Sequence, residues 1–204
     1  MAEEIPANAR RWPVQKRSRE RLERVLRVAE GLIVERGFAN LNMREVAEIA
    51  NVNISTIYAY FPNSQSLLRV IALRYIEESA NRAKELYGRV SDLNSPREKM
   101  VDEILDVVIE FYESHPNWNA IWRGMQSDNE LMAMDIEDTK VNSSLLGLLL
   151  KRINPDLDDD IDLTAVILTA INGAVIRLAS ELSVREREAI YRQLRRLVRR
   201  MLIY

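Results

Sequence analysis

An all-α fold is predicted by three observations. The 204-residue chain holds only six glycines and six prolines, its apolar residues recur at helical spacing almost throughout, and no segment alternates as a half-buried strand would. Hydrophobic residues make up 47% of the chain, enough to fill a core, so disorder throughout is excluded.

The first helix is expected from about Arg19 to Arg36. Leu22, Val25, Leu26, Ala29, Leu32 and Ile33 share one face there, and Gly37 supplies a natural stop. Asn42 then precedes Met43, Val46, Ala47 and Ala50. Glu45, three residues after Asn42, has the spacing at which cap and glutamate satisfy each other's free amides, so a second, short helix starts here. Asn51 tolerates the left-handed conformation that ends a helix and turns the chain, and Asn53 can cap a third helix of about Ile54 to Tyr60, which Pro62 ends. After Asn63 a long helix carries Leu67, Leu68, Ile71, Ala72 and Tyr75.

Five more helices follow. One runs from Ser95-Pro96 to about Ser114; a short one after Pro116 holds Trp118, Ile121, Trp122 and Met125; another spans about Asn129 to Ile153. Asn154-Pro155 breaks the chain before the last two, Asp162 to about Glu181 and Val184 to about Ile203. There is no internal repeat and no low-complexity tract.

Composition removes several kinds of chemistry. The absence of cysteine rules out disulfide frameworks, thiolate zinc sites and cysteine nucleophiles, and suits a reducing cytoplasm. His115 is the lone histidine, so no multi-histidine metal site is possible, and it reads as a loop or capping residue before Pro116. No glycine-rich phosphate loop or nucleophile with a histidine partner is present, and Asp156 to Asp162 lacks the calcium-loop pattern; an enzyme is not expected, and no cofactor or metal is implied. Met1 to Arg21 has no apolar stretch of the secretory kind. The most apolar segment, Leu163 to Ala179, is broken by Thr164, Thr169, Asn172, Gly173 and Arg177. It falls short of the roughly 20 residues of a membrane span, so it reads as a buried helix with no membrane role.

Net charge is −2, but its distribution is uneven. Arg10, Arg11, Lys16, Arg17, Arg19, Arg21, Arg24 and Arg27 face only Glu20 and Glu23, whereas Asp156 to Asp162 carries five aspartates. Positive charge gathers at the end that holds two short helices and a tight turn. That arrangement lets a second helix lie in the major groove of DNA while the first braces it. Met43, Val46, Ala47, Val52, Ile57 and Phe61 would form its small core, leaving Ile54, Ser55, Tyr58 and Ala59 facing outward. An ordinary helical hairpin is the competing reading.

At these residues the resemblance becomes specific. Gly37-Phe38, Met43 through Ala50, Val52, and Thr56-Ile57-Tyr58-Ala59-Tyr60-Phe61 ending in Leu67-Leu68 resemble the tetracycline-repressor family of regulators, over about Arg19 to Val70. The rest of the chain matches that family only in helix number and length. The resemblance implies residues 1–66 as a helix-turn-helix DNA-binding domain with a basic arm, and 67–204 as a ligand-sensing and dimerisation domain. By the same resemblance Thr56, Tyr58 and Tyr60 would contact phosphates, Ile54 and Ser55 would approach base edges, and Arg44 would reach phosphate or base. Asn42 and Asn53, at the two helix N-termini, belong to this site. The family usually has glycine at the position of Asn51, serine or threonine at that of Asn53 and lysine at that of Ser64. Losing that lysine removes a phosphate contact, which Arg17 and Arg19, with Arg10, Arg11 and Lys16 of the arm, could replace. A solvated tail is the competing reading of the arm.

In the remainder, Leu163 to Ala179 is apolar nearly all round, so it needs burial on more than one side. The last helix carries Ile190, Leu194, Leu197, Val198, Met201 and Leu202 on one stripe, with Arg192, Arg195, Arg196, Arg199 and Arg200 around it; the arginines of its last turns complement the helix dipole. The pair reads as half of an intermolecular four-helix bundle, hence a homodimer on a palindromic operator of double-stranded DNA, with half-sites about 34–36 Å apart or a multiple. Tyr75, Phe111, Tyr112, Trp118, Trp122 and Met125 suit a cavity for a small apolar or aromatic effector whose identity is not legible; core filling is the competing reading. The expected function is a cytoplasmic repressor released from its operator by that effector. A DNA-bound scaffold recruiting a protein partner is the alternative.

Overall fold

The computed structural model describes residues 15–90, 95–155 and 160–203. Among them nine α-helices run in the order α1 (Lys16–Arg36), α2 (Met43–Ala50), α3 (Ile54–Tyr60), α4 (Ser64–Val90), α5 (Arg97–Ser114), α6 (Trp118–Met125), α7 (Asn129–Ile153), α8 (Ile161–Ser180) and α9 (Val184–Ile203), with a 3-10 turn at Phe38–Asn40 and no strand. The all-α class stands. Arg10, Arg11 and the aspartates at 156, 158 and 159 lie outside the described residues.

Helix ends follow local backbone chemistry. Gly37, at φ 78°, closes α1 with its amide on the Ile33 carbonyl at 2.9 Å. Asn51 takes the left-handed conformation (φ 52°, ψ 53°) after α2. The Val52 amide then reaches the Ala47 carbonyl at 3.0 Å and the Asn51 amide reaches that of Glu48 at 3.1 Å, the paired bonds of a Schellman stop. We expect Asn51→Ala to lower stability in urea unfolding by about 1 kcal/mol, with Asn51→Gly neutral or stabilising, because only the alanine meets the left-handed steric penalty without a polar side chain to offset it. Phe61 is extended (φ −124°, ψ 98°), as the residue before Pro62 must be, and it ends α3. At the start of α4, Asn63 Oδ1 accepts from the Ser66 amide at 2.9 Å while Ser66 Oγ accepts from the Asn63 amide at 3.3 Å, a reciprocal cap.

Some expectations need correction. α1 begins at Lys16, three residues earlier than read, so Lys16, Arg17 and Arg19 are exposed residues of its first turn and not a preceding arm. The cap of α2 bonds one residue short of the expected box: Asn42 Oδ1 accepts from the Arg44 amide at 2.9 Å, and Glu45 Oε1 accepts from Arg36 Nη1 at 2.7 Å. An arginine nine residues upstream competes for that carboxylate because α1 and α2 pack together. Val52, expected in the small core, is half-buried.

The described chain forms two compact units, and neither ends at residue 66. One takes in residues up to Ile76 together with Asn117–Met134; the other takes in Glu77–Pro116 and Asp135–Tyr204. α4 runs through residues 66 and 67 without a break, and α6 packs on α1 and the 3-10 turn. Gly124 lets it approach: a Cβ there would lie 3.0 Å from Leu68 and from Phe38. In this first unit Val25, Ala29, Ile33, Val46, Ala50, Ile57, Phe61, Leu67, Leu68, Ala72, Ile121 and Met125 are wholly buried. Arg74 forks onto the Glu23 carboxylate at 2.6 and 2.7 Å, and these hydrogen bonds hold that carboxyl below its ordinary range.

The second unit packs α5, α8 and α9 around Val101, Leu105, Leu150, Ala165, Leu168, Ile176, Leu194 and Val198. The stripe read on α9 divides here. Leu194, Val198 and Leu202 are buried with Tyr191, whereas Leu197 (64% exposed) and Met201 (48%) face outward. Arg195 and Arg199 pair with Asp102 and Asp106 of α5, Arg199 through both Nε and Nη2 on Asp102, so they bind helices together as well as complementing a dipole. α8 is a full 20 residues, so length and composition alone would let it cross a membrane. The reading that it falls short of a span is therefore corrected, although Ile161, Ala165, Leu168, Ile176 and Ala179 of this helix are buried within the unit.

Candidate nucleic-acid interface

α3 is anchored from below and open above. Ile57 and Phe61 are wholly buried, while Ser55, Tyr58 (46% exposed) and Ala59 lie outward, and Ile54, Thr56 and Tyr60 are half-buried. The hydrogen bonds at its N-terminus explain the choice of residues. Asn53 Oδ1 accepts from the Ser55 amide at 2.9 Å and from Ser55 Oγ at 2.7 Å, so the Ser55 hydroxyl is held with its lone pairs free to accept from a donor. Asn42 caps α2 in the same way, which leaves Arg44 exposed two residues from the cap, in the first turn.

These elements meet at a shallow concavity of about 490 Å³ lined by Arg44, Ala47, Glu48, Asn51, Val52, Asn53 and Ile54. The left-handed turn at Asn51 creates it by carrying the chain from the end of α2 back to the start of α3. Thr56, Tyr58 and Tyr60 do not line it, and Arg17 and Arg19 stand apart from it on α1. The surface offers one guanidinium, two capped helix N-termini, hydroxyl and phenol groups, and the apolar side chain of Ile54. That set suits phosphate oxygens and base edges.

The residues read as lining an effector cavity are divided between the two units. In the first, Trp118 and Met125 are buried core, Trp122 is half-buried, and the Tyr75 ring lies 5.1 Å from that of Trp118 while its phenol donates to Glu30 Oε1. Asn117 Nδ2 donates to the same oxygen at 2.9 Å. In the second, Phe111 is buried beneath the Arg82 guanidinium, 5.7 Å from its ring centroid, and the Tyr112 phenol accepts from Arg177 Nη1 at 3.2 Å. His115 stands at the end of α5, its Nδ1 2.8 Å from the Phe111 carbonyl and its Nε2 2.9 Å from Glu78.

Polar groups in this second unit were not singled out from sequence. Burial, with Asp135 close by, pushes the Asp138 carboxyl of α7 up to about 6, against the lowering effect of a hydrogen bond from Asn142. Asn172 is buried on α8. The signal available was an Asp and an Asn four residues apart inside an apolar helical stripe. Among the described residues, no group of three or more His, Asp or Glu is placed to hold a metal ion.

An all-helical chain whose short α3 is displayed across a tight turn from α2, with the exposed residues of both forming one surface, defines a helix-turn-helix protein. Comparison with known proteins takes this to a family. Residues 25–71 match the bacterial regulatory proteins of the tetR family, and residues 96–202 match the tetracyclin repressor-like C-terminal domain. The chain belongs to the tetracycline-repressor family.

Among its relatives, the uncharacterized HTH-type transcriptional regulator Rv1255c of Mycobacterium tuberculosis is 27% identical over 93 residues, 46% of this chain and 45% of that one. The HTH-type transcriptional repressor KstR of Rhodococcus jostii is 35% identical over 82 residues, 40% of this chain and 36% of that one. The chain thus spans about half the length, or less, of these curated relatives. A crystal structure of a TetR-family transcriptional regulator from Streptomyces coelicolor superposes with a TM-score of 0.60 at 25% identity, over 88% of this chain and 95% of the other.

Proposed function

We propose that the protein is a cytoplasmic, sequence-specific DNA-binding transcription regulator, a homodimeric repressor that leaves a palindromic operator when a small-molecule effector binds. The observation that carries this reading is the surface of α3. Tyr58 and Ser55 are exposed on a helix whose other side is locked by wholly buried Ile57 and Phe61, so an outward aromatic is displayed by a rigid support. Tyr58, Thr56 and Tyr60 are assigned to phosphates, Ile54 and Ser55 to base edges, Arg44 to either, and Asn42 and Asn53 to positioning the helix N-termini. Arg17 and Arg19, exposed on α1, are assigned to phosphates beyond α3.

The dimer is supported by α8. Leu163, Ile167, Ile171 and Leu178 are 47–60% exposed, and Ala170 and Ala174 between them are exposed as well. Their spacing is that of one helical stripe, and Leu197 and Met201 of α9 extend the apolar surface. Two helices from each of two copies would close a four-helix bundle. Two-fold symmetry then asks for a two-fold operator. Release follows from linkage: an effector that binds better to the dimer whose recognition helices are wrongly spaced lowers operator affinity by its differential affinity.

The experiment is selection of operator fragments from genomic DNA at stated salt, comparing the native protein with Tyr58→Ala. One palindromic site should be recovered, and the variant should bind it about 10- to 100-fold more weakly, the loss of one hydrogen bond to a charged acceptor and its packing. Weak binding insensitive to sequence and to the variant would refute this reading.

A further inference from the structure

Helix α2 carries two glutamates, and only one of them meets an answering charge within the protein. Glu45 accepts from Arg36 Nη1 at 2.7 Å. Glu48 is exposed and makes no ion pair among the described residues, although Arg44 stands one turn before it on the same face of α2. Arg44 and Glu48 both line the concavity of about 490 Å³ at the candidate interface, together with Asn53 and Ile54 from the start of α3.

Local structure gives no reason for a carboxylate at this position. Glu48 lies in the last turn of α2, where the helix dipole disfavours negative charge, and its backbone carbonyl already accepts from the Asn51 amide at 3.1 Å. Alanine there would form the helix better. A carboxylate is also the wrong group to set before phosphates, which give duplex DNA one negative charge per about 1.7 Å of its axis. On the proposed DNA-facing surface it therefore asks for a hydrogen-bond donor from the DNA itself.

In the major groove those donors are the exocyclic amino groups, N4 of cytosine and N6 of adenine. Adenine sets its N7 acceptor beside N6, so the group that suits it must donate as well as accept, as glutamine or asparagine does. Cytosine offers N4 with no acceptor beside it on the same base, and an acceptor-only carboxylate fits it. The guanine paired with that cytosine displays O6 and N7, two acceptors that suit the forked donors of a guanidinium. Arg44 and Glu48, a donor and an acceptor one turn apart on one wall, thus match what guanine and cytosine display.

We propose that Glu48 is a specificity-determining residue of operator recognition, accepting a hydrogen bond from the N4 amino group of a cytosine in each half-site. This rests on the reading of the chain as an operator-binding regulator, and it adds a base-reading residue to those assigned there.

Selection from duplexes of randomised sequence by the full chain tests it, with Glu48→Gln and Glu48→Ala beside the native protein at one stated salt concentration. The native protein should recover a two-fold symmetric consensus with a fixed cytosine in each half-site. Glu48→Gln should move the preference at that one position from cytosine to adenine and keep the rest of the consensus. Glu48→Ala should accept all four bases there and bind the native consensus about tenfold more weakly, as expected for one lost base contact. Neither variant should lower Tm, since the side chain is exposed and both replacements remove a charge that the helix end disfavours. A lowered Tm with base preference untouched would assign Glu48 to the stability of α2 and overturn the proposal. Affinity that rises alike for every sequence in both variants would mark a carboxylate that only repels phosphates, and would overturn it too. So would unchanged affinity and unchanged preference. In each of these cases the native protein still selects a symmetric site and the regulator stands. Failure of the native protein to select any sequence would instead refute the regulator itself.

Discussion

Replacement of Ile167 and Ile171 together by aspartate is expected to yield a folded monomer that no longer binds the operator tightly. Both side chains are about half exposed in the single chain, 53% and 47%, so the protomer should tolerate the change with little loss of its own stability. In the proposed bundle the same positions meet their symmetry mates, and a two-fold axis doubles each substitution, placing four carboxylates in an apolar seam. Buried and unpaired charges of that kind cost several kcal/mol each, more than an interface of a few helices can absorb. With the dimer lost, each recognition helix binds its half-site alone and the gain from effective concentration disappears, a factor of about 100 or more in apparent affinity. Sedimentation or light scattering should give the monomer mass, circular dichroism should be unchanged, and operator binding should fall by that factor. Retention of the dimer mass would remove α8 from the interface.

The second large effect is expected from Phe61→Ala. Phe61 is wholly buried at the end of α3, and truncating a buried phenylalanine costs about 3–5 kcal/mol through lost transfer energy and the cavity left behind. Domains of this size are stable by only about 5–15 kcal/mol, so the first unit should lose much or all of its margin. Urea unfolding followed by fluorescence and by circular dichroism should separate into an early and a late transition, since the second unit has its own core. DNA binding should fail with the early one. Tyr58→Ala, three residues earlier on the same helix, is the counterpart: its outward side chain should cost little stability and much affinity. If the two variants lost stability and affinity in the same proportion, α3 would be a packing element and not a reading one.

Much of the fold was legible because helix boundaries are short-range chemistry. Gly37, Asn51, Asn53, Pro62 and Pro155 act through the φ/ψ range of one residue or a hydrogen bond spanning two to five, and each ends, turns or begins the chain where the local pattern says it must. The outward face of α3 was legible for the same reason. Its Ile57 and Phe61 fall on the core side at helical spacing, which leaves Ser55, Tyr58 and Ala59 to the other. The errors have one origin in common. Glu45 was read as answering Asn42, but Arg36 takes it from the neighbouring helix; the stripe on α9 was read as one face, but α5 and α8 cover only part of it.

What the sequence by itself determined, then, is the set of helices, their order, their caps and the side of α3 that looks outward, since all of these are decided within a few residues along the chain. Only the tertiary structure decided which apolar stripe is core and which is left open, as with Leu194 against Leu197 and Leu168 against Ile167. It also joined α6 to the N-terminal unit, matched Arg199 to Asp102 across 97 residues, and buried Asn172 within α8. Burial and charge pairing depend on which surfaces meet in space, and a helical pattern states that a face is apolar without stating what will cover it.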